Sequence, residues 1–348
     1  MTAAKARGVT LRARAETVLA QHWWRPAPTL LVQALRPLSW LYRALAGWRR
    51  LRSRPRPLQV PVIVVGNLIA GGAGKTPTVI ALVQALAGAG RRPGVISRGY
   101  GRAGHRVHAV AAGDTAAAVG DEPLLIRRRT GVPVWVGRDR VAAALGLCAA
   151  QPEVDVLVSD DGLQHHRLAR DAELVVFDER GAGNGLLLPA GPLREPLPRR
   201  LSPRTRVVYT GGAASTALPG VLALRHIGTA WPLGGWLSDD SRSALPLDSL
   251  RGRPCLAVAG LAAPEKFFAM LRAAGLTITP RPLPDHHAYG TLPWPAGTAD
   301  VITTEKDAVK IDPARTGATQ VWVVPLDLVL PAALVGELIQ LLPAPTPP

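Results

Sequence analysis

Cysteine is nearly absent: Cys148 and Cys255 are the two in 348 residues, and both sit in apolar segments. A disulfide framework and a cysteine zinc cluster are therefore excluded, and a reducing compartment is expected. Long apolar runs are missing as well. Near the N-terminus the longest uncharged stretch, Pro26 to Leu35, has ten residues, against the roughly 20 that span a bilayer. No spanning helix is expected, and Arg7, Arg12, Arg14 and Glu16 break up the apolar core that a signal peptide needs. Acid is in short supply too, with 25 Asp+Glu against 41 Lys+Arg and a net charge of +16. What is plentiful is apolar residues, at 47%, which excludes a disordered chain. Glycine and proline, 35 and 33 residues, call for many turns but stay below low-complexity levels. The length suits two domains, or one large domain with additions.

The charge is not spread evenly. Residues 1–60 hold twelve Lys/Arg and one acid, Glu16, and so carry +11 of the +16. The other 288 residues have an ordinary +5. Four of the nine tryptophans, Trp23, Trp24, Trp40 and Trp48, fall in the same stretch. Pro37 suits the first position of a helix, and from there Leu38, Leu41, Tyr42, Leu45, Trp48 and Leu51 recur on one helical face with Arg43, Arg49 and Arg50 between them. This pattern fits a helix lying in an anionic bilayer interface. It also fits a helix packed on the protein's own core with a solvated basic face. No recognition motif supports nucleic-acid binding.

After this tract, Leu58–Val65 reads as a buried strand, 66–76 as a glycine-rich loop, and 77–89 as a helix. Further strands are expected at 94–97, 132–136, 154–159 and 173–177, alternating with helices at 122–129 and 141–150. Such alternation predicts an α/β fold, a mainly parallel sheet with helices on both faces, and the glycine loop between its first strand and helix makes it P-loop NTPase-like. A loop rich in Gly and Pro runs over 180–203, and strands at 207–210 and 221–227 flank a stem between lobes. Strands at 255–259, 276–279, 300–304 and 321–326, with helices at 264–274 and 332–342, describe a second, smaller α/β lobe. The expected partition is 1–57 as a basic segment with an amphipathic helix, 58–210 as the P-loop domain, 211–227 as the stem and 228–348 as the smaller lobe.

Between strand and helix, Ala70, Gly71, Gly72, Ala73, Gly74, Lys75, Thr76 and Pro77 have the ending of a Walker A loop. Backbone N–H groups of such a loop face phosphate oxygens, the lysine reaches the β/γ-phosphates, and the Thr hydroxyl ligates Mg²⁺. The usual first glycine of the pattern is replaced by Ile69. Asp160 and Asp161 follow the strand at 154–159, as a Walker B acid would; a solvated loop or a helix cap would use the same pair. A guanine-specifying N-K-x-D element is absent, since Thr304-Glu305-Lys306-Asp307 has its lysine in the wrong place. The second lysine of partitioning-type ATPases is also absent, with Ala70 at that position. A phosphotransferase needs a base for its acceptor, and acids in loops are the candidates. Asp121 of Gly120-Asp121-Glu122-Pro123 is one, although it could simply cap a helix; Asp285-His286-His287 is another, although it could be a polar turn.

Together, VGNLIAGGAGKTP (65–77), SRGYGR (97–102), GDEP (120–123), DDGLQHHRL (160–168), LLPAGPLREP (187–196), PDHH (284–287) and TEKDAVK (304–310) resemble the tetraacyldisaccharide 4′-kinases, the lipid A 4′-kinases of Gram-negative bacteria. The motifs stand in that family's order over about 58–310. The resemblance implies transfer of the ATP γ-phosphate to the 4′-hydroxyl of an acylated glucosamine disaccharide 1-phosphate, giving lipid IVA at the cytoplasmic face of the inner membrane. It implies ATP and Mg²⁺, a monotopic or peripheral association with an anionic membrane through the N-terminal segment, and neither a nucleic-acid nor a protein partner. By position it assigns the catalytic acid to Asp121 and its partner to His286, in preference to His287. It also assigns acids near metal and phosphates to Glu122, Asp160 and Asp161, and further polar site residues to Gln164, His165 and Glu195. Arg98, Arg102 and Arg194 could bind phosphate groups of nucleotide or substrate, but arginines in loops are usually solvated, and they are left outside the catalytic set. A membrane-surface P-loop ATPase switch acting on a protein partner is the alternative, and lipid dependence of ATP turnover separates the two.

Overall fold

The computed structural model describes residues 19, 21–25 and 27–343. The basic residues of 1–18 lie outside the described residues. Helix α1 spans Leu30–Arg52. It begins at Thr29, whose Oγ1 accepts a hydrogen bond from the Val32 N–H at 3.4 Å, and it ends where the Ser53 hydroxyl donates to the Arg49 carbonyl at 2.9 Å. Arg49, Arg50 and Arg52 sit in its last turn, where cations complement the helix dipole. Pro37 is inside the helix, so the expected start there is corrected by seven residues. Local preference for proline at a first helical turn yields here to the cap at Thr29.

The main sheet forms from β1 (Val62–Gly66), α2 (Lys75–Gly88), β2 (Pro93–Ser97), β3 (His108–Ala109), α3 (Ala116–Val119), α4 (Asp121–Thr130), β4 (Val134–Val136), α5 (Arg140–Ala150), β5 (Val156–Asp160), β6 (Ala172–Phe177), β7 (Thr205–Tyr209) and β8 (Val221–Leu222). Its strand order is β3-β4-β2-β5-β1-β6-β7-β8, parallel except for β3. Alternate β1 residues feed opposite faces: Ile63 and Val65 join the cluster with Val79 and Leu82, whereas Val62 and Val64 join Leu147 and Leu168. Both faces are buried, which is why β1 reads as an unbroken apolar run.

The second sheet is built from β10 (Thr229–Pro232), β11 (Leu245–Pro246), β12 (Cys255–Ala259), β13 (Ile278–Pro282), β14 (Asp300–Thr304) and β15 (Gln320–Val324). Its order is β11-β10-β15-β14-β12-β13. Helix α6 (Leu233–Leu237) follows β10, α7 (Pro264–Ala273) follows β12, and the short α8 (Glu305–Ala308) follows β14. Two strands outside both sheets, β9 (Leu224–His226) and β16 (Asp327–Val329), pair antiparallel where the chain crosses between lobes.

The final helix, α9 (Ala332–Gln340), is the main departure from the expected partition. Its Leu334, Val335 and Leu338 pack in the cluster of Val79 and Leu86, and Arg206 at β7 pairs with Glu337. The chain thus returns to cover the P-loop lobe. An apolar helical stripe says only that some surface covers it, and the second lobe is the default in chain order alone. Val221–Leu222, placed in the stem by sequence, extends the first sheet beside β7.

Candidate active site

In a parallel sheet, ligands gather beyond the carboxyl ends of the strands. Here β1 lies between β5 and β6, with Val65 level with Asp160. The phosphate loop, the Asp160–Asp161 pair and the Asp178–Arg180 turn after β6 therefore meet at one end of the sheet. Gly71 and Gly74 have φ of +91° and +83°, and a Cβ on Gly74 would stand 3.1 Å from an Arg225 nitrogen and 3.2 Å from Thr210 Oγ1. Only glycine suits that turn. The Ala70 N–H donates to the Pro192 carbonyl at 2.7 Å, and the Thr210 hydroxyl donates to the Ala73 carbonyl at 3.3 Å. Ile69 is fully buried and bridges to Leu193, so the position that lacks the usual glycine belongs to the loop's buried support.

Lys75 Nζ lies 3.2 Å from Asn67 Oδ1 and 3.6 Å from Asp161. Asp161 also takes a hydrogen bond from Arg194 at 3.1 Å. Burial pushes the Asp161 carboxyl up, but Lys75 and Arg194 outweigh that and hold it below the usual range. Asp160 behaves oppositely. It is buried, accepts from Ser97 Oγ at 2.9 Å, and is pushed up to about 7 by burial and by the charges of Glu122 and Asp161. Its Oδ1 is buried without a partner. An orphaned carboxylate oxygen amid like charges is what a divalent cation relieves, and Thr76 and Glu122 line the cleft between the lobes. Among the described residues no group of three or more His, Cys, Asp or Glu stands ready to hold a metal alone. Magnesium in kinase sites commonly uses one or two carboxylates plus the substrate phosphates, so the donor set fits Mg²⁺ arriving with ATP.

Asp121 opens α4 and its neighbour Gly120 has φ +97°. A Cβ on Gly120 would lie 3.1 Å from both Gly99 Cα and the Tyr100 carbonyl; this close approach brings the SRGYGR loop onto the start of α4. Asp121 is the first residue of α4, after the N-cap Gly120; its Oδ1 accepts from the adjacent Glu122 N–H at 3.0 Å, and its Oδ2 faces the second lobe. His286 Nδ1 donates to Asp121 Oδ2 at 2.9 Å, and the Tyr100 ring lies 5.1 Å from the imidazole. His287 turns away and packs edge-on to Tyr289. Burial would raise the Asp121 pKa, but the bond from His286 and the charges of Lys306, His286 and Lys310 bring it below the ordinary value. The same bond raises His286, against burial and Lys306. Lys306 Nζ stands 3.2 Å from Glu122, and Lys310 Nζ stands 3.8 Å from Asp121. Burial lowers the Lys306 pKa, yet Glu122, Asp285 and Asp121 leave it well above the usual lysine value. Lys306 lies in the 304–307 segment that sequence reasoning set aside as a false guanine motif, and both lysines lie in the TEKDAVK motif (304–310), for which no residue role was assigned; their proximity to the acids across the cleft reveals them.

The opposite wall was not foreseen at all. Asp178 is buried and accepts from Arg180 Nε at 2.8 Å and from Lys266 of the second lobe at 2.7 Å. Arg180 also donates to the Gly72 carbonyl and lies over the Trp24 ring, 4.8 Å from its centre. Burial raises the Asp178 pKa, and Arg180 with Lys266 lowers it further than burial raises it. A carboxylate with a depressed folded pKa stabilises above its unfolded value, and the effect vanishes as pH falls through the folded one. Asp178→Asn should therefore cost about 3 kcal/mol at pH 7, and its gap from the unsubstituted protein should begin to narrow near about pH 4 and go on narrowing as pH falls through the depressed folded value. Unfolding curves at pH 7 and pH 3 measure this; a gap as large at pH 3 as at pH 7 overturns it.

Between the lobes these groups line a cleft of about 1100 Å³, including space open to solvent. Gly72, Gly74, Lys75, Thr76, Pro77, Glu122, Asp285 and Lys306 are in its walls, and Asp121 and His286 adjoin them. The remaining candidates are placed differently. Gln164 links Arg194 and the Asn67 carbonyl, at 3.3 and 3.4 Å, behind the loop. His165 lies 3.8 Å from Asp139, lowered to about 4 by burial and by Arg140. Glu195, 3.8 Å from Arg50 and 3.9 Å from His166, lines a second cavity under the end of α1. Arg194, left outside the catalytic set, holds Asp161.

A phosphate loop, a carboxyl pair at the end of the next strand and an Asp–His pair closing over them from two lobes define a P-loop phosphotransferase. The tetraacyldisaccharide-1-P 4′-kinase (LpxK) family profile matches residues 31–343. A tetraacyldisaccharide 4′-kinase of Leptothrix cholodnii is 55% identical over 324 residues, covering 90% of this chain and 93% of its own. One of Methylibium petroleiphilum is 54% identical over 326 residues, covering 91% and 90%. The crystal structure described as the "apo" form of Aquifex aeolicus LpxK in complex with ATP superposes with a TM-score of 0.73 at 28% identity, over 90% of this chain and 99% of that one. The chain belongs to the tetraacyldisaccharide 4′-kinase family.

Proposed function

We propose that this kinase transfers the γ-phosphoryl group of ATP to the 4′-hydroxyl of a tetraacylated glucosamine disaccharide 1-phosphate, forming lipid IVA at the cytoplasmic face of the inner membrane. The observation that carries the reading is the 2.9 Å contact between Asp121 and His286, facing the phosphate loop from opposite lobes. Asp121, kept ionised, accepts the proton of the attacking hydroxyl; His286 orients its carboxylate through the Nδ1 hydrogen bond. Lys75 and the N-terminal N–H groups of α2 bind the β- and γ-phosphates. Thr76 with Asp160 or Asp161, and Glu122 beside them, would hold Mg²⁺, which when bound neutralises charge on the transferring phosphate. Base and partner come together only when the lobes are closed, a condition that favours transfer over loss of phosphate to water.

Labelled-phosphate transfer tests the reading. ATP turnover should rise at least about tenfold on adding the disaccharide lipid in mixed micelles, with the label recovered in lipid. Turnover indifferent to the lipid, and unlabelled lipid, would instead favour an ATPase switch.

A further inference from the structure

Lys306 touches neither the phosphate loop nor the expected path of the proton, yet it is among the most constrained cations in the cleft. Its own short helix is pinned on both sides. Glu305 is buried and accepts from Arg129 at 2.6 Å and from Trp236 Nε1 at 3.2 Å. Asp307, fully buried, accepts from the Gly260 N–H at 2.8 Å and from Thr304 Oγ1 at 2.8 Å. Lys306 between them is thereby aimed into the cleft with its side chain 15% exposed.

An ammonium has three N–H donors and no acceptor, and three acceptors surround this one. They are Glu122 Oε1 at 3.2 Å, Asp285 Oδ1 at 3.1 Å and His286 Nε2 at 3.5 Å. Glu122 lies on the first lobe and the other two on the second. When the ring is neutral, an ammonium facing Nε2 requires a lone pair there and so keeps the proton on Nδ1, the atom 2.9 Å from Asp121. His286 also has φ +58°, a left-handed conformation that a histidine adopts at a cost, and the loop needs outside contacts to keep it. Lys310 cannot take over this role: it is bound to Asp307 at 3.0 Å and approaches Asp121 rather than the imidazole.

We infer that Lys306 is a positioning residue for the Asp121–His286 pair: it ties the His286 loop to Glu122 across the cleft and, by donating to Nε2, leaves the imidazole only Nδ1 with which to donate to Asp121. This rests on the proton-acceptor reading of that pair. A Lys306 that merely strengthened the contact between lobes would change stability and leave the chemical step alone.

The test is a set of steady-state measurements on the full chain with ATP and disaccharide lipid, comparing Lys306→Met, Lys306→Gln, His286→Ala and His286→Ala/Lys306→Met. Lys306→Met should lower kcat by about 100-fold, the scale of a misplaced reacting group, with both KM values within about threefold. Lys306→Gln, whose amide can still donate to Nε2, should recover part of the loss. In the double variant the second substitution should cost less than about threefold beyond His286→Ala, because the two residues act as one unit. A normal kcat in Lys306→Met overturns the inference, as do losses that multiply in the double variant. If Lys306→Met fails to fold, Lys306→Gln alone and in the His286→Ala background is judged by the same additivity criterion. A near-normal His286→Ala would instead strike the Asp121–His286 reading itself, so the two failures are distinguishable.

Discussion

Asp121→Asn should lose phosphate transfer by about 10²–10⁴-fold, the range of a removed general base, while keeping its nucleotide affinity. The substitution is isosteric, and the Asn carbonyl can still accept from His286 Nδ1, so the fold and the contact between lobes survive. What disappears is a carboxylate able to take the proton. Its structural setting suits that task in two respects. Asp121 is 6% exposed, so water competes poorly for it, and His286 with Lys306 and Lys310 keeps it ionised despite burial. The price of that stabilisation is a weaker base, which limits the rate that the carboxylate alone can provide; on the proposed reading, phosphate neutralisation by Lys75 and a bound Mg²⁺ would supply the rest. Transfer of labelled phosphate and ATP binding to Asp121→Asn, measured side by side, check the prediction. Transfer near the unsubstituted rate removes the base assignment; loss of ATP binding as well would make Asp121 a nucleotide-site residue.

Much of the molecule was legible in the sequence wherever a short window held the signal. Strands at 255–259 and 300–304 have the observed bounds, because the first is an unbroken apolar run and the second is mostly β-branched, both suited to a parallel strand buried on both faces. The phosphate loop could be read from its strand, glycines and Lys75-Thr76 alone. The pairing of Asp121 with His286 was different. The two are 165 positions apart, and the residues taken singly allowed a helix cap and a polar turn; only the joint order of seven motifs pointed to them. Asp178, Arg180 and Lys266 carry no local pattern, since an ion pair between lobes leaves no periodicity in either segment. The same limit explains α9: amphipathicity reports that a face is covered and is silent about which sheet covers it. For α1 the ambiguity had been between a core-facing and an outward stripe, and here packing separates the two. Val32 and Ser39 are its buried residues, and Ser39 and Tyr42 reach the Leu187 and Arg194 carbonyls at 2.8 and 3.0 Å. Leu38, Leu41, Leu45 and Trp48 are exposed.

That outward stripe leads to the second large expected effect. Replacing Leu38, Leu41, Leu45 and Trp48 with serine should lower partitioning onto anionic vesicles by about 10²–10³-fold. The four side chains are 51–56% exposed, so each has roughly half of its surface still to bury. At about 1 kcal/mol for half-burying a large apolar side chain, four together supply about 4 kcal/mol, close to three decades of partitioning. Among the described residues no helix is long and apolar enough to cross a membrane, which leaves α1 to lie along the surface if it meets one. Arg43, Arg49 and Arg52 are exposed on the same helix and add attraction to anionic headgroups that salt should screen. The serine variant should therefore bind weakly and lose its residual binding in 0.5 M salt, whereas the unsubstituted protein should keep most of its binding there. Ser39 and Tyr42 are untouched, so α1 stays docked and ATP binding should be unchanged. Co-sedimentation with vesicles containing phosphatidylglycerol, at low and high salt, reads all of this. Equal binding by the two proteins would show that the apolar stripe is not what meets the bilayer, and would return the role of the +11 charge to residues 1–18 and the arginines alone.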